Sequence, residues 1–347
     1  MNFFFFTLDY ELYGNGSGDV FKHIIEPTEK LLAVADKYGV KFTFFFEVVE
    51  YWMLKKEWNK GNTMGYKENP ISAMENQIMD ACRQGHDIQL HIHPQWVDAY
   101  WKDGKWNVNL EKWRLGGYSG EGENSLVNLL KRGKQTLEDL LKPIDPDYKC
   151  IAMRAGGYNI QPSEEIVKAM KEAGLKIDSS IYPGGKETGK LSHYDYTNIV
   201  PTKGLWHVGE QLEESGNTDI LELPIVAFPM MRLKKFMTWE RVRGFLQNSQ
   251  SAKDSLEAKT SSTDKKGSKW DKLKYFFQTE WQTWDYCLFS PSQHVSFLKK
   301  IVKQDRNVFV LVGHPKSWSG SRGFETLLRK TGANYTNTTI RHFFFEK

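Results

Sequence analysis

Two histidines separated by one residue, His91 and His93, end an apolar run and are the residues of this sequence best placed to bind a metal ion. Alternate side chains of an extended strand point to the same face, so both imidazoles can converge on one ion. A set of two histidines and a carboxylate, with open positions for water and substrate, is typical of a catalytic divalent site. Asp9 or Glu11, which follow another apolar run, can supply the carboxylate. Taken alone, the pair is equally well explained as two buried, hydrogen-bonded histidines.

Polar residues also follow other apolar runs, and each polar group contains side chains able to bind metal or transfer protons. The four groups are residues 7–11, 90–94, 154–158 and 312–315. In parallel α/β barrels the carboxyl ends of the strands meet at one face, and catalytic residues gather there. We therefore expect these groups to surround a single site.

The elements that must position these groups alternate along the chain. Strands are predicted over residues 2–8, 40–46, 87–92, 149–154, 175–179, 220–225 and 307–312. Helices are predicted from about 27 to a stop at Gly39, and over 71–83, 124–142, 162–173 and 291–304. Repeated β-then-α order implies parallel strands with right-handed crossovers, and about seven units can close or nearly close a barrel. The predicted fold class is α/β, a (β/α)7-type distorted barrel with parallel strands.

Composition narrows the class of protein further. The 347 residues carry a net charge of +4, from 47 basic and 43 acidic residues, so no positive field indicates a nucleic-acid partner. Cys82, Cys150 and Cys287 lie far apart without CxxC spacing, which fits a reducing compartment. No stretch approaches the roughly 20 apolar residues of a membrane span. Residues 3–6 lack the basic leader of a signal peptide. We expect a cytoplasmic protein, which is compatible with peripheral association with a membrane-bound assembly.

Two segments depart from the alternating pattern within what we expect to be one domain, residues 1–347. Residues 96–122 are rich in aromatic residues, glycines and charges and directly follow the histidine pair, which predicts an active-site loop. Residues 248–272 are rich in Ser, Lys, Asp and Thr, which predicts a polar surface insertion.

Aromatic residues make up 14% of the chain, and several fall in polar segments. Such rings suit stacking on sugar faces, although packing explains each of them equally well. Trp96 and Trp113 in the aromatic loop, with Tyr158 and Glu222 near other strand ends, are the candidate substrate-binding residues.

These strand ends resemble the motif series of the polysaccharide deacetylases, carbohydrate esterase family 4, over nearly the whole chain. That family opens with Thr-Phe-Asp-Asp, in which the first Asp is the base and the second a metal ligand. Residues 7–11, Thr-Leu-Asp-Tyr-Glu, take its place, so the resemblance implies that Asp9 is the base and Glu11 a ligand. The family's Gly-His-Glu-Ile lead-in to two ligand histidines is similar to residues 85–88, Gly-His-Asp-Ile, which precede His91 and His93.

The resemblance extends to two further motifs. The family's third motif begins with an arginine that orients the base, which implies this role for Arg154. Its fifth motif ends in a histidine that acts as general acid, which implies this role for His314.

The chain also departs from the family pattern. The usual ligand spacing is His-x-x-x-His, but Gln95 stands four residues after His91. Residues 154–158, Arg-Ala-Gly-Gly-Tyr, replace Arg-x-Pro-Tyr, and Val312 stands where a leucine usually precedes the acid histidine. Such departures resemble a divergent branch associated with lipopolysaccharide or capsule biosynthesis.

The resemblance implies a hydrolase that uses one divalent ion, Zn²⁺ being expected, to remove an N-acetyl or related acyl group from an amino-sugar unit of a glycan or its precursor. Two alternatives remain. An amidohydrolase-type metallohydrolase also uses His-x-His, but on the first strand and with further histidines. A non-catalytic carbohydrate-binding barrel needs the aromatic residues but neither a metal ion nor Asp9, Arg154 and His314.

Overall fold

Parallel β-strands form the centre of the protein in the computed structural model, which describes residues 2–232, 277–304 and 306–345. The central strands are β1 (Phe3–Tyr10), β2 (Phe42–Glu47), β3 (Asp87–Ile92), β4 (Ala152–Ala155), β5 (Ile177–Asp178), β6 (Leu221–Glu222) and β7 (Val308–Gly313). They lie in the order β6-β5-β4-β3-β2-β1-β7, and every neighbouring pair is parallel. A short antiparallel strand, Trp206–His207, pairs with β6.

The two ends of this row of strands meet just beyond β6. Ile225 forms a parallel bridge with Val310 of β7, and the Val226 N–H donates to the Val310 carbonyl at 2.9 Å. Closer to the carboxyl end, the Trp284 N–H donates to Val226 and Trp284 accepts from the Val312 N–H. The sheet therefore curls into a distorted barrel, which confirms the predicted fold class.

Helices connect most of these strands. They are α1 (Glu26–Lys37), α2 (Val48–Asn59), α3 (Pro70–Arg83), α4 (Leu126–Leu141), α5 (Glu164–Ala173), α6 (Pro291–Ile301), α7 (Arg322–Thr331) and α8 (Ile340–Phe345). The helices predicted from the sequence correspond to α1, α3, α4, α5 and α6 within a few residues. Helix α2 was not predicted, because it follows β2 without a turn and continues its apolar run. The Glu47 side chain caps it by accepting from the Val49 N–H.

The phenylalanine run of β1 lies inside the barrel, which agrees with a buried strand. Phe4, Phe5 and Phe6 are all buried, and the neighbouring strands contribute rings from Phe42 and Phe309 to the same core. Aromatic side chains bury a large apolar area each, so this core contributes strongly to the free energy of folding. None of the helices in the described parts of the chain is long and apolar enough to cross a membrane.

Of the two segments that depart from the alternating pattern, the structure describes residues 96–122 but not residues 248–272. Within residues 96–122 a hairpin of strands Tyr100–Lys102 and Lys105–Asn107 is followed by short 3-10 turns. The polar insertion predicted at 248–272 lies outside the described residues. The domain boundaries stay a prediction, and the three cysteines are free thiols.

Candidate active site

Strands β1 and β3 bring together, at the carboxyl end of the barrel, three side chains that could hold a metal ion. Glu11 follows β1, and its Oε2 lies 2.5 Å from His93 Nε2 and 3.5 Å from His91 Nε2. The ligand atoms of this set all lie within 4.8 Å of one another, and all three side chains are buried. His91, the last but one residue of β3, and His93 point to the same carboxylate because strand side chains alternate.

The ring nitrogens of the two histidines face different partners. His91 Nδ1 lies 2.8 Å from the Arg154 carbonyl oxygen, which only accepts, so Nδ1 carries the proton and Nε2 has the lone pair. Both Nε2 atoms are buried and face the same Glu11 oxygen, and the His91 Nε2 lone pair has no hydrogen-bond donor. A buried polar atom without a hydrogen bond is rare. Two imidazole nitrogens and a carboxylate oxygen form a donor set that fits zinc.

Asp9 lies beside this set and is bound to Arg154. Arg154 Nη1 donates to Asp9 Oδ1 at 2.6 Å and to Thr7 Oγ1 at 2.9 Å, while Nε donates to the Ser179 carbonyl at 2.7 Å. The guanidinium is fully buried and stacks on the Phe45 ring. Burial alone would raise the pKa of Asp9, but the Arg154 charge, with smaller contributions from His314 and His91, outweighs burial and lowers that pKa far below its usual range. Asp9 is therefore an ionised carboxylate held in one orientation.

His314 follows β7 and connects two carboxylates. Its Nε2 lies 3.4 Å from Asp9 Oδ2, and its Nδ1 lies 2.9 Å from Asp285 Oδ2. Burial acts to lower the pKa of His314, but the hydrogen bonds and charges of Asp285 and Asp9 raise it to about 10. The imidazole is thus a protonated acid at neutral pH, with Nε2 directed to the site.

Sequence analysis missed Asp285. Residues 284–286 fill the gap in the barrel wall between Val226 and Val312, and this places the carboxylate under His314. The available signal was an acidic residue inside the aromatic run Trp284-Asp285-Tyr286, where a buried carboxylate requires a partner.

Lys316 is a second site residue that sequence analysis missed. Its Nζ donates to Glu11 Oε1 at 2.9 Å and to the Leu12 carbonyl at 2.6 Å, and its side chain is largely buried. Burial acts to raise the pKa of Glu11, yet Lys316 and then His93 lower it well below its usual range. The ammonium occupies one Glu11 oxygen and leaves the other facing the histidines.

Of the four candidate substrate-binding residues, two lie near the site. The Trp113 ring contacts the His93 ring edge-on, with centroids 6.4 Å apart, and its Nε1 donates to Ser192 Oγ. Tyr158 ends the turn Gly156–Tyr158 after β4, and a Cβ built on Gly156 would come 2.4 Å from the His93 ring. This turn is therefore pressed against a candidate ligand.

The other two candidates are buried in ways that argue against contact with substrate. Trp96 is 1% exposed and packs edge-on against Trp106, so core packing accounts for it. Glu222 is fully buried, accepts from the Ile181 N–H and pairs in register with Asp178. Burial and then the Asp178 charge raise the pKa of Glu222 well above its usual range. Neither orientation could be predicted from the strand pattern.

The sequence matches no protein-family model and no curated protein sequence. Solved structures with a similar arrangement include a protein from Mycobacterium smegmatis named a polysaccharide deacetylase, at 13% identity, covering 98% of this chain and 88% of that one with a TM-score of 0.46. A peptidoglycan N-acetylglucosamine deacetylase catalytic domain from Eubacterium rectale has 13% identity, 98% and 88% coverage and a TM-score of 0.37. A GH57-type branching enzyme from Pyrococcus horikoshii has 10% identity, 99% and 70% coverage and a TM-score of 0.48. Likenesses at this level establish neither a family nor a substrate.

Proposed function

We propose that this protein is a metal-dependent hydrolase that removes an acyl group, N-acetyl being expected, from an amino-sugar unit of a glycan or glycan precursor. One observation carries the proposal. A buried Glu11–His91–His93 set lies beside a carboxylate held by arginine and a histidine held by a second carboxylate. Metal ligands, a base and an acid at one strand end are the parts that metal-assisted amide hydrolysis requires.

The contacts of each residue indicate its role in the proposed reaction. Glu11, His91 and His93 would hold the divalent ion, which when bound polarises the acyl carbonyl and lowers the pKa of a coordinated water. Asp9 accepts the proton of the attacking water, and Arg154 keeps Asp9 ionised and oriented. Backbone N–H groups of the turn Gly156–Tyr158 are expected to stabilise the oxyanion.

His314 completes the reaction by protonating the departing sugar amine from Nε2. Asp285 holds Nδ1 and so keeps the ring oriented with its proton-bearing Nε2 towards the site. Trp113 and Tyr158 remain the expected contacts for the sugar.

The finer parts of the proposal rest on the motif resemblance. They are the identity of the metal ion as zinc and the identity of the cleaved bond as an amide. They also include membership of the lipopolysaccharide or capsule branch, and a cytoplasmic location with peripheral association with a glycan-assembly complex. The two imidazole nitrogens of the donor set support zinc, because calcium and magnesium take oxygen ligands.

The site favours one ion over the two ions per chain that would indicate the amidohydrolase-type alternative. Asp9, Glu11 and His314 form a second group of ligand atoms that shares Glu11 with the first. Arg154 already binds Asp9, and Lys316 already binds the Glu11 oxygen on that side. Arg154 and Lys316 therefore already neutralise the two carboxylates that a second metal ion would need.

Lys316→Met is expected to tighten zinc binding by about tenfold, because removing one adjacent positive charge from a buried ligand relieves repulsion of at least ~1.4 kcal/mol. Isothermal titration of metal-stripped protein measures it. Lys60→Met, which removes a lysine paired with Glu57 at the end of α2, is the matched control and should not change the affinity. Weaker zinc binding by Lys316→Met would show that Lys316 assembles the ligand set instead of opposing the ion.

Asp285→Asn is expected to lower the pKa of His314 from about 10, because the variant loses the charge and the charge-assisted hydrogen bond of Asp285, which contribute more than those of Asp9. In a plot of kcat against pH, the fall of kcat at high pH should begin at a lower pH in the variant. Near pH 6 the change in kcat should be smaller. The folded pKa lies above the ordinary value of 6.5, so the pair stabilises the fold fully below pH 6.5 and loses this effect as pH rises through about 10. Urea unfolding at pH 6 and pH 10 measures this effect on stability. If the pH dependence of kcat did not shift in Asp285→Asn, His314 would not be the general acid.

The direct test of function is acetate release. Protein stripped with a chelator and reloaded with one equivalent of Zn²⁺ should release acetate from N-acetylglucosamine oligomers, a nucleotide-linked N-acetyl sugar or a lipid-linked one, and the stripped protein should not. Protein that neither binds zinc nor releases acetate from any of these classes would favour the carbohydrate-binding alternative. Two zinc ions per chain by elemental analysis would favour the amidohydrolase type.

A further inference from the structure

Gln95 contacts the nitrogen of His93 that does not face Glu11. We infer that Gln95 is a positioning residue that decides which nitrogen of His93 carries the proton, and thereby sets the affinity of the Glu11–His91–His93 set for a divalent ion. The inference rests on the metal site of the proposed function but not on the reaction or its substrate.

The Gln95 side chain is held in place on several sides. It lies in the turn Pro94–Trp96 directly after β3, is fully buried, and its backbone carbonyl accepts from the Asn109 N–H at 3.0 Å. Its Nε2 lies 2.7 Å from His93 Nδ1 and 3.2 Å from the Gly14 carbonyl oxygen. A Cβ on Gly14 would come 3.3 Å from this nitrogen, so the loop packs closely over the amide. Close packing therefore holds the Gln95 side chain in this position.

The two candidate ligand histidines are prepared differently. His91 Nδ1 faces a carbonyl, so its Nε2 has a lone pair ready for an ion. His93 Nδ1 faces the Gln95 amide nitrogen, which only donates, so here Nδ1 has the lone pair and the proton is on Nε2, beside Glu11. An Nε2 that carries a proton cannot bind a metal ion. His93 is thus set in the metal-free form.

One buried atom without a hydrogen bond, Gln95 Oε1, indicates the second arrangement. A half-turn of the amide about its terminal bond exchanges its oxygen and nitrogen. Oε1 then accepts from His93 Nδ1–H, and His93 Nε2 presents its lone pair to the ion beside Glu11. The half-turn gives up the hydrogen bond to the Gly14 carbonyl, and the amide contacts His93 Nδ1 in both arrangements.

A glutamine is suited to this position because an amide both donates and accepts. A carboxylate at residue 95 would only accept and would hold His93 permanently in the metal-binding form. A methionine at residue 95 would fill a similar space but would fix neither tautomer of His93, because its thioether has no N–H and is only a weak acceptor. Groups that fix the second nitrogen of a ligand histidine typically change metal affinity by about 10–100-fold.

The test compares zinc affinity across residue 95 variants. Gln95→Met should weaken zinc binding by about 10–100-fold, and Gln95→Glu should bind zinc more tightly than the wild type. Isothermal titration gives the affinities. In the metal-free wild type, ¹⁵N chemical shifts should place the His93 proton on Nε2, and zinc should move it to Nδ1. Gln161→Met is the matched control, because Gln161 donates to Glu213 outside the set and should leave zinc affinity unchanged.

The outcomes separate this inference from the proposed function. Wild-type zinc affinity and an unchanged His93 tautomer in Gln95→Met would overturn the role of Gln95 and leave the metal site intact. A wild-type protein that binds no zinc would overturn the metal site itself. Thermal unfolding with chelator present shows whether each variant folds, and Gln95→Glu, which keeps the shape of the side chain, tests the idea even if Gln95→Met is unstable.

Discussion

Asp9→Asn is expected to lower kcat for acyl hydrolysis by about 10²–10⁴-fold, the usual contribution of a positioned general base. An amide in place of the carboxylate cannot take the proton of the attacking water. The same change leaves the buried Arg154 guanidinium without its counter-charge, and breaking a buried ion pair in this way costs about 3–5 kcal/mol of folding free energy. Kinetics under saturating substrate and urea unfolding measure the two effects separately.

Asp36→Asn serves as the matched control for Asp9→Asn, because Asp36 is an exposed acidic residue on α1. It should alter neither kcat nor the free energy of unfolding by a measurable amount. If Asp9→Asn kept wild-type kcat while remaining folded, Asp9 would not be the base, and the assignment of Arg154 as its positioning partner would fail with it.

His91→Ala is expected to remove zinc binding and with it activity, down to the level of the metal-stripped protein. His91 is the ligand whose lone pair is already directed to the ion position, so no other residue of the set can replace it. Zinc at 100 times its dissociation constant should stabilise the wild type by about 2.7 kcal/mol. The variant should show no shift of Tm with zinc.

His207→Ala is the control for His91→Ala, because His207 is an exposed histidine that bonds to the Thr218 carbonyl. It should keep one zinc ion per chain and the full shift of Tm. One zinc ion per chain in His91→Ala would mean that the ion binds elsewhere, for instance in the overlapping Asp9–Glu11–His314 group. Elemental analysis after gel filtration distinguishes these results.

Two of the site's contacts show the limit of prediction from sequence. Asp285 meets His314 across 29 residues of chain, because residues 284–286 enter the barrel wall between two strands. Lys316 reaches Glu11 from the opposite end of the chain. No periodicity encodes such contacts, since they depend on which strands become neighbours.

Burial also decided roles that residue type left open. Trp96 and Trp113 have the same side chain and lie in the same aromatic segment, but only Trp113 contacts a candidate ligand while Trp96 packs on Trp106. Glu222 was a candidate for substrate contact, and its strand turns it into the interior beside Asp178. Helix α2 was missed because its apolar residues continue those of β2.

The sequence by itself determined the parallel barrel and the strand ends that carry its chemistry, because helix and strand periods are local properties and strand side chains alternate by geometry. It also placed both histidines on one face. The motif resemblance implied Glu11 as a ligand and Arg154 as the residue that orients Asp9, and the tertiary structure shows the contacts that each of them makes. Only the tertiary structure decided that Asp285 contacts His314, that Lys316 contacts Glu11 and that Gln95 contacts His93. These pairings depend on distances between strands that are far apart in the chain, and closing the barrel is what brings them within hydrogen-bonding reach.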